Sequence, residues 1–144
     1  MQMIDCVFCK IIEGKASCQK LYEDERTLCI LDIGQTFSDT GEIIPGRSLV
    51  IPKRHTTWFY DLEDEEAGQL FITAKKVASK IKKAFNPDFV TVIVRGQQIS
   101  HAHIILQPSG EDDAIGRLFA GLRSSFKLAS KEQLDNIARK IREN

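Results

Sequence analysis

Gln97-Gln98-Ile99-Ser100-His101-Ala102-His103-Ile104-Ile105-Leu106-Gln107-Pro108 is the stretch whose reading decides the fold. It is rich in β-branched and apolar residues and reads as a half-buried strand, in which residues two apart share a face. His101, His103, Ile105 and Gln107 then line one face, and Ala102, Ile104 and Leu106 fill the other. The protein has only 3 histidines, and two of them stand here. Paired imidazoles on a rigid strand suit metal binding or nucleophilic chemistry on phosphorus. The plainer alternative is two histidines satisfied by backbone partners at the edge of a core.

Working outward, Phe89-Val90-Thr91-Val92-Ile93-Val94-Arg95 is a strand that Gly96 turns into the histidine strand, so the two are expected as neighbours in a hairpin. Upstream, Ala67, Leu70, Phe71, Ala74, Val77, Ala78, Ile81, Ala84 and Phe85 recur at helical spacing and predict one long helix. Acidic residues crowd its start and lysines its end, matching the helix macrodipole, and Asn86-Pro87 closes it. Arg47 to Pro52 reads as a strand, with His55 at its exit. Gln19–Asp24 and Thr27–Asp32 flank a tight turn and read as an antiparallel hairpin. Gly34 to Gly46 has the composition of a long loop.

Downstream, Ser109-Gly110-Glu111-Asp112-Asp113 reads as a turn, and Ile115 to Phe126 as a second, irregular helix. Ser130-Lys131-Glu132-Gln133 is a capping box opening a final helix with Leu134, Ile137, Ala138 and Ile141 on its apolar side. Antiparallel strands with helices on one side give an α+β fold. The 144 residues, 42% hydrophobic and 28% charged, show no internal repeat and suit one domain spanning 1–144.

Lys+Arg 20 against Asp+Glu 20 leaves no basic footprint for nucleic acid and no polybasic membrane anchor. No apolar run approaches a membrane span, and Met1 to Cys6 lacks the features of a signal peptide. The four cysteines, Cys6, Cys9, Cys18 and Cys29, are therefore read as reduced thiols, and the protein as cytoplasmic, or nuclear as well in a eukaryotic cell.

Cys6-Val7-Phe8-Cys9 begins a short helix stopped by Gly14. Its two thiols fit half a zinc site, two small buried side chains, or, least well in the absence of a preceding strand, a redox pair. With His55 and His101 the pair makes a Cys₂His₂ set able to close a tetrahedral structural zinc site. That leaves His103 as a neutral imidazole competent to attack a phosphate ester or phosphoramidate.

The ordered set Cys6-x-x-Cys9-Lys10-Ile11-Ile12-x-Gly14, Tyr22-Glu23-Asp24-Glu25, Leu31-Asp32-Ile33, Leu49-Val50-Ile51-Pro52-Lys53-x-His55 and Gly96-Gln97-x-Ile99-x-His101-x-His103 resembles the histidine triad (HIT) family, from Cys6 to Pro108. The resemblance implies a five-stranded antiparallel sheet with one long and one or two shorter helices, continued across a homodimer as one ten-stranded sheet. It implies hydrolysis or transfer at the α-phosphate of nucleoside phosphoramidates or dinucleoside polyphosphates, with His103 as nucleophile and a purine nucleotide as partner. Asp32 is implied to hold the ribose hydroxyls, and Ile33 and Gln97, in the matched segments, are read as further substrate contacts. Arg47, whose guanidinium suits bidentate phosphate contact, and Gln107, on the His103 face one strand period beyond Ile105, are read as substrate contacts from their own chemistry. Zinc is implied on Cys6, Cys9, His55 and His101.

This chain departs from the family's pattern at several points. Ile105 replaces the third triad histidine, Arg47 a usual histidine, and Gln98 a usual small hydroxyl residue. The loop before Gly96 is almost absent, and the one between Asp32 and Pro45 is longer. Lost phosphate donors set a second expectation beside the hydrolase: a nucleotide-binding or interaction protein that keeps fold and zinc with little catalysis.

Overall fold

A computed structural model describes residues 5–110 and 113–144. Glu111 and Asp112 of the expected turn, and Met1–Ile4 of the start read for a leader, lie outside the described residues. The elements run α1 (Val7–Ile12), β1 (Lys20–Glu23), β2 (Thr27–Leu31), β3 (Thr36–Phe37), β4 (Ile43–Ile44), β5 (Ser48–Pro52), a 3₁₀ turn (Phe59–Asp61), α2 (Asp64–Phe85), β6 (Phe89–Arg95), β7 (His103–Ser109), α3 (Ala114–Arg123) and α4 (Lys131–Arg142).

Five strands form one sheet in the order β1-β2-β5-β7-β6, and every neighbouring pair is antiparallel. The alternation within each strand sorts side chains between two apolar layers. Cys29, Val50, Ile104 and Leu106 meet Leu70, Ala74, Val77 and Ile81 of α2 on one face. Leu28, Ile30, Leu49, Ile51 and Ile105 meet Cys6 and Phe8 on the other. The expectation of helices on one side is thus corrected. α2 covers one face and the short α1 the other, because a sheet with two apolar faces must cover both.

α2 spans 22 residues and opens on a reciprocal capping box between Glu63 and Glu66, with Asp64, Glu65 and Glu66 in its first turn. Asn86, at φ 48 and ψ 46, ends it in the left-handed conformation that Asn tolerates. The apolar stripe is narrower than its periodicity predicts, since Phe71 and Phe85 are 45% and 52% exposed. Thr73 is buried instead, its hydroxyl 2.8 Å from that of Thr27 on β2.

The histidine run is the main correction to the expected strands. Residues 97–101 form bends, and β7 begins only at His103. His101 N–H donates to the Ile99 carbonyl at 2.7 Å and Ala102 N–H to the Thr56 carbonyl at 2.6 Å. The chain here is therefore bonded to itself and to the segment after β5, and β6 has no claim on it. Gly96 opens a seven-residue connection, residues 96–102, before the strand resumes, although β6 and β7 are neighbours as expected, with Arg95 opposite His103.

The span from Gly34 to Gly46 contains the small β3–β4 hairpin rather than loop alone. The second helix starts and ends earlier than expected, at Ala114 and Arg123, where Asp113 caps it by accepting from Gly116 N–H at 2.9 Å. The capping box at Ser130 and Gln133 is present. The apolar side of α4 is uncovered, with Leu134, Ile137 and Ile141 all more than half exposed. Among the described residues no helix is long and apolar enough to cross a membrane.

Candidate functional site

The entry to β7 places two imidazoles with opposite assignments. His101 Nε2 lies 2.8 Å from the Pro52 carbonyl, which accepts only if Nε2 carries the proton. Its Nδ1 lone pair is thereby turned towards α1, 3.5 Å from Cys6 Sγ and 3.7 Å from Cys9 Sγ. His55 Nδ1 lies 3.2 Å from Cys9 Sγ. The ligating atoms of Cys6, Cys9, His55 and His101 all lie within 4.8 Å of one another.

A tetrahedral zinc with Zn–S about 2.3 Å and Zn–N about 2.0–2.1 Å requires sulfur–nitrogen edges of about 3.5 Å. The observed separations match, and the carbonyl behind His101 is the outer partner a metal-bound imidazole normally has. The donor set fits zinc. Burial, and after it the Cys6 thiol, push the Cys9 thiol up to about 11, a cost that a cation among the ligands reverses.

His103 carries the opposite arrangement. Its Nδ1–H donates to the His101 carbonyl at 2.8 Å, so the lone pair sits on Nε2. Nε2 has no hydrogen-bond partner, yet no side-chain nitrogen or oxygen is both buried and unpartnered among the described residues. Nε2 therefore opens onto the cavity that His103 lines. Phe8 wedges edge-on against both rings, 5.8 Å from His101 and 5.3 Å from His103 between ring centres. Burial, outweighing the carbonyl bond, holds the His103 imidazole below its ordinary value, and the nearby Arg95 and Arg47 charges act in the same direction.

The cavity measures about 160 Å³ and is walled by Phe8, Leu49, Ile99 and Ile105. Its polar lining besides His103 is Asp32, Arg47, Arg95 and Gln98. Arg47 Nε donates to Asp32 Oδ2 at 2.7 Å and Arg47 Nη1 to Gln107 Oε1 at 3.1 Å. Gln107 is wholly buried, also accepts from Thr36 Oγ1 at 3.1 Å, and stands behind Arg47 without lining the cavity. Ile33 is fully exposed beside Asp32. Gln97 lines a different, larger groove of about 560 Å³ with Trp58, Phe59, Tyr60, Leu118 and Phe119, a groove that Arg95 also borders.

The structure thus brings His103, Asp32 and Arg47 to one cavity and the thiols and imidazoles of Cys6, Cys9, His55 and His101 to another point, with Ile33, Gln97 and Gln107 outside the cavity lining. Three contributors escaped the sequence. Arg95 was read only as a strand end. Phe8 was read only as part of a short helix. Gln35 sits in the apparent loop, where its amide donates to the carbonyls of Asp32 (2.6 Å) and Arg47 (3.0 Å) and accepts from Gly46 and Arg47 N–H (2.9 and 3.1 Å). It closes the base of that loop and holds Asp32 beside Arg47. No local sequence signal marks such a long-range clamp.

Comparison with known proteins agrees with this geometry. The HIT domain model matches residues 13–108. The chain is 34% identical to Protein hit of Bacillus subtilis, covering 95% of this chain and 92% of that one. It is 36% identical to Adenylylsulfatase HINT3 of Arabidopsis thaliana, over 86% of this chain but 62% of that protein. It is 34% identical to Adenosine 5'-monophosphoramidase hnt1 of Schizosaccharomyces pombe, over 75% and 78% respectively. Among solved structures, a HIT family protein from Bacillus anthracis matches with a TM-score of 0.73, 35% identity and 96% coverage of both chains. A zinc-bound histidine triad family protein from Mycobacterium smegmatis matches with a TM-score of 0.64 and 29% identity, over 76% of this chain and 78% of that one. With its five-stranded antiparallel sheet, its Cys₂His₂ cluster and a match over two thirds of its length, the chain belongs to the HIT domain family.

Proposed function

We propose that the protein is a nucleotide hydrolase or transferase acting at the α-phosphate of a nucleoside phosphoramidate or dinucleoside polyphosphate through a covalent nucleotidyl-His103 intermediate. The observation that carries this is the Nδ1–H of His103 bound to the His101 carbonyl at 2.8 Å, which leaves the Nε2 lone pair free in a cavity that also holds Arg47. The Nε2 lone pair forms a bond to phosphorus as the bond to the leaving group breaks and its electron pair departs with that group. Water then attacks the phosphorus, the P–N bond returns its pair to Nε2, and a proton is released.

Each side chain has a role in this reading. Arg47, pinned by Asp32 and Gln107, presents its guanidinium to the phosphoryl oxygens, a geometry suited to bidentate anion contacts. Asp32 accepts from Arg47 and keeps lone pairs for ribose hydroxyls, and Ile33 outside it offers an apolar rest for a purine base. A cavity of about 160 Å³ holds a phosphoryl group with the edge of a ribose and leaves the base at the rim. Gln97 lies at the neighbouring groove, where it meets a leaving group longer than the cavity.

Zinc on Cys6, Cys9, His55 and His101 would supply structural rigidity and hold the His101 backbone whose carbonyl orients His103. A homodimer formed by edge pairing belongs to the same reading, since β6 is an edge strand carrying half-exposed Phe89 and Val92. The deciding experiment incubates the protein with a nucleoside phosphoramidate and with a dinucleoside polyphosphate labelled in the α-phosphate. Release of the nucleoside monophosphate, and a labelled protein adduct that is lost in His103→Ala, are expected. Turnover unchanged in that variant rejects the reading.

The second reading, a nucleotide-binding protein with little catalysis, is favoured by one observation. Ile105 stands on the cavity wall and has no donor to offer a developing charge. It predicts a raised melting temperature with nucleotide and no product.

A further inference from the structure

Granted the His103 reading, the cavity contains a nucleophile and cations, but nothing that gives up a proton. Asp32 is held as an acceptor, Oδ2 by Arg47 Nε at 2.7 Å and Oδ1 by Gly34 N–H at 2.9 Å. Arg47 and Arg95 carry guanidinium groups that do not deprotonate in proteins, and the Gln98 amide is no acid. Among the described residues the remaining walls are aromatic or aliphatic, with Ile105 on the β7 face that also carries His103. His103 Nδ1–H is committed to the His101 carbonyl.

Arg95 enters this cavity from a fixed position. It is the register partner of His103 across β6 and β7, so the two side chains leave the same face of the sheet at directly opposed positions. Among the described residues its Nη2 makes only a 3.4 Å contact with Gln97 Oε1, at the margin of a hydrogen bond, whereas Arg47 is held by both Asp32 and Gln107. One guanidinium is therefore built into the wall, and the other is exposed and free to follow a departing anion.

We infer that the leaving group is an oxyanion of low proton affinity, a sulfate, phosphate or nucleotide phosphate in anhydride linkage to the α-phosphorus, and that Arg95 selects it over an amine. The chemistry of departure separates the two classes. When Nε2 bonds to phosphorus and a P–O anhydride bond breaks, the electron pair leaves on an oxygen that is stable unprotonated and is met by a cation. When a P–N bond breaks, the nitrogen must acquire a proton as it leaves, and this cavity has none to give. Donors aimed at developing charge act in the transition state, so the effect appears in kcat/KM.

The test uses three substrates with the same adenylyl half: adenosine 5′-phosphoramidate, adenosine 5′-phosphosulfate and ADP. The two anhydrides are expected to release AMP at least 10-fold faster than the phosphoramidate, and their order identifies the preferred oxyanion. Arg95→Ala is expected to cost the better anhydride about 10²–10³-fold in kcat/KM. The same change costs the phosphoramidate at least 10-fold less, and Arg95→Lys restores part of the anhydride rate. Ile105→His, which puts a proton donor on the cavity wall, is expected to raise phosphoramidate turnover selectively. A phosphoramidate that is the better substrate, or an Arg95→Ala loss equal for both classes, overturns the inference while leaving nucleophilic His103 in place. If no substrate releases AMP and no adenylate is trapped on the protein, the His103 reading itself fails, and the inference fails with it.

Discussion

Arg47 and Asp32 face each other as an ion pair, Nε to Oδ2 at 2.7 Å, across the mouth of the loop that Gln35 clamps shut. Neither charge is a freely solvated surface group, since their side chains are 28% and 17% exposed. The pair orients a guanidinium over the cavity. Arg47→Ala is expected to lower kcat/KM about 10²-fold or more, the typical cost of removing one donor to a developing charge. Steady-state kinetics on the preferred nucleotide check this, and a loss below about threefold would remove Arg47 from the phosphate shell.

Gln107 acts through Arg47. Gln107→Leu leaves the Arg47 Nη1 and Thr36 hydroxyl donors without their acceptor in a partly buried setting, at a cost of about 1 kcal/mol. We expect a lowered melting temperature together with a kcat/KM loss smaller than that of Arg47→Ala. In the Arg47→Ala background the further kinetic loss should be small, because the group that Gln107 positions is gone.

The pH profile reports on His103. Burial, the largest influence, lowers its proton affinity, and Arg95 and Arg47 add to that. The neutral nucleophile therefore persists below the ordinary imidazole value of about 6.5. kcat/KM should stay flat from pH 8 through neutrality and fall only on the acid side of that value. An acid limb centred above it would contradict the assignment.

Metal analysis of purified protein should find about one zinc per chain, lost in Cys6→Ser with a fall in melting temperature. Cys29→Ser is the control. Cys29 is equally buried but belongs to the core under α2, so it should lose stability while keeping the metal. Exposed Cys18 should be silent on both counts.

Asp24 ties the first hairpin to α2. It accepts from Arg26 and Thr27 N–H at 2.9 and 2.8 Å and from the Gln69 amide at 2.7 Å. Burial opposes its ionisation, but these donors outweigh it and lower the carboxyl to about 2. Because the folded value is depressed, the stabilisation is complete above the unfolded value of about 3.9 and disappears as pH falls towards the folded one. Asp24→Asn should therefore cost about 1–2 kcal/mol at neutral pH, with the gap closing between about pH 4 and 2. Urea midpoints at the two ends of that window check it.

The patterns carried in the sequence are those that act over a few residues. The 3.6-residue period of α2, its acidic start and basic end, the capping box at Ser130 and Gln133, and the alternation of Ile104, Ile105 and Leu106 each follow from local chemistry, and each appears in the fold. Cys6, Cys9, His55 and His101 were legible as a set of donor types able to close one tetrahedral site, and the fold brings their donor atoms within 4.8 Å of one another. What tertiary structure alone decided depends on contacts between distant segments. The Thr56 carbonyl captures the Ala102 amide and so delays β7 until His103. Register sets Arg95 against His103. Gln35 reaches across the loop, and a second sheet face calls α1 down as its cover. Hydrogen-bond partners and register across a sheet are chosen by the whole packed assembly, since a buried donor takes whichever acceptor the fold presents. For that reason the sequence determined which side chains were available for chemistry, and the fold determined which of them share a cavity.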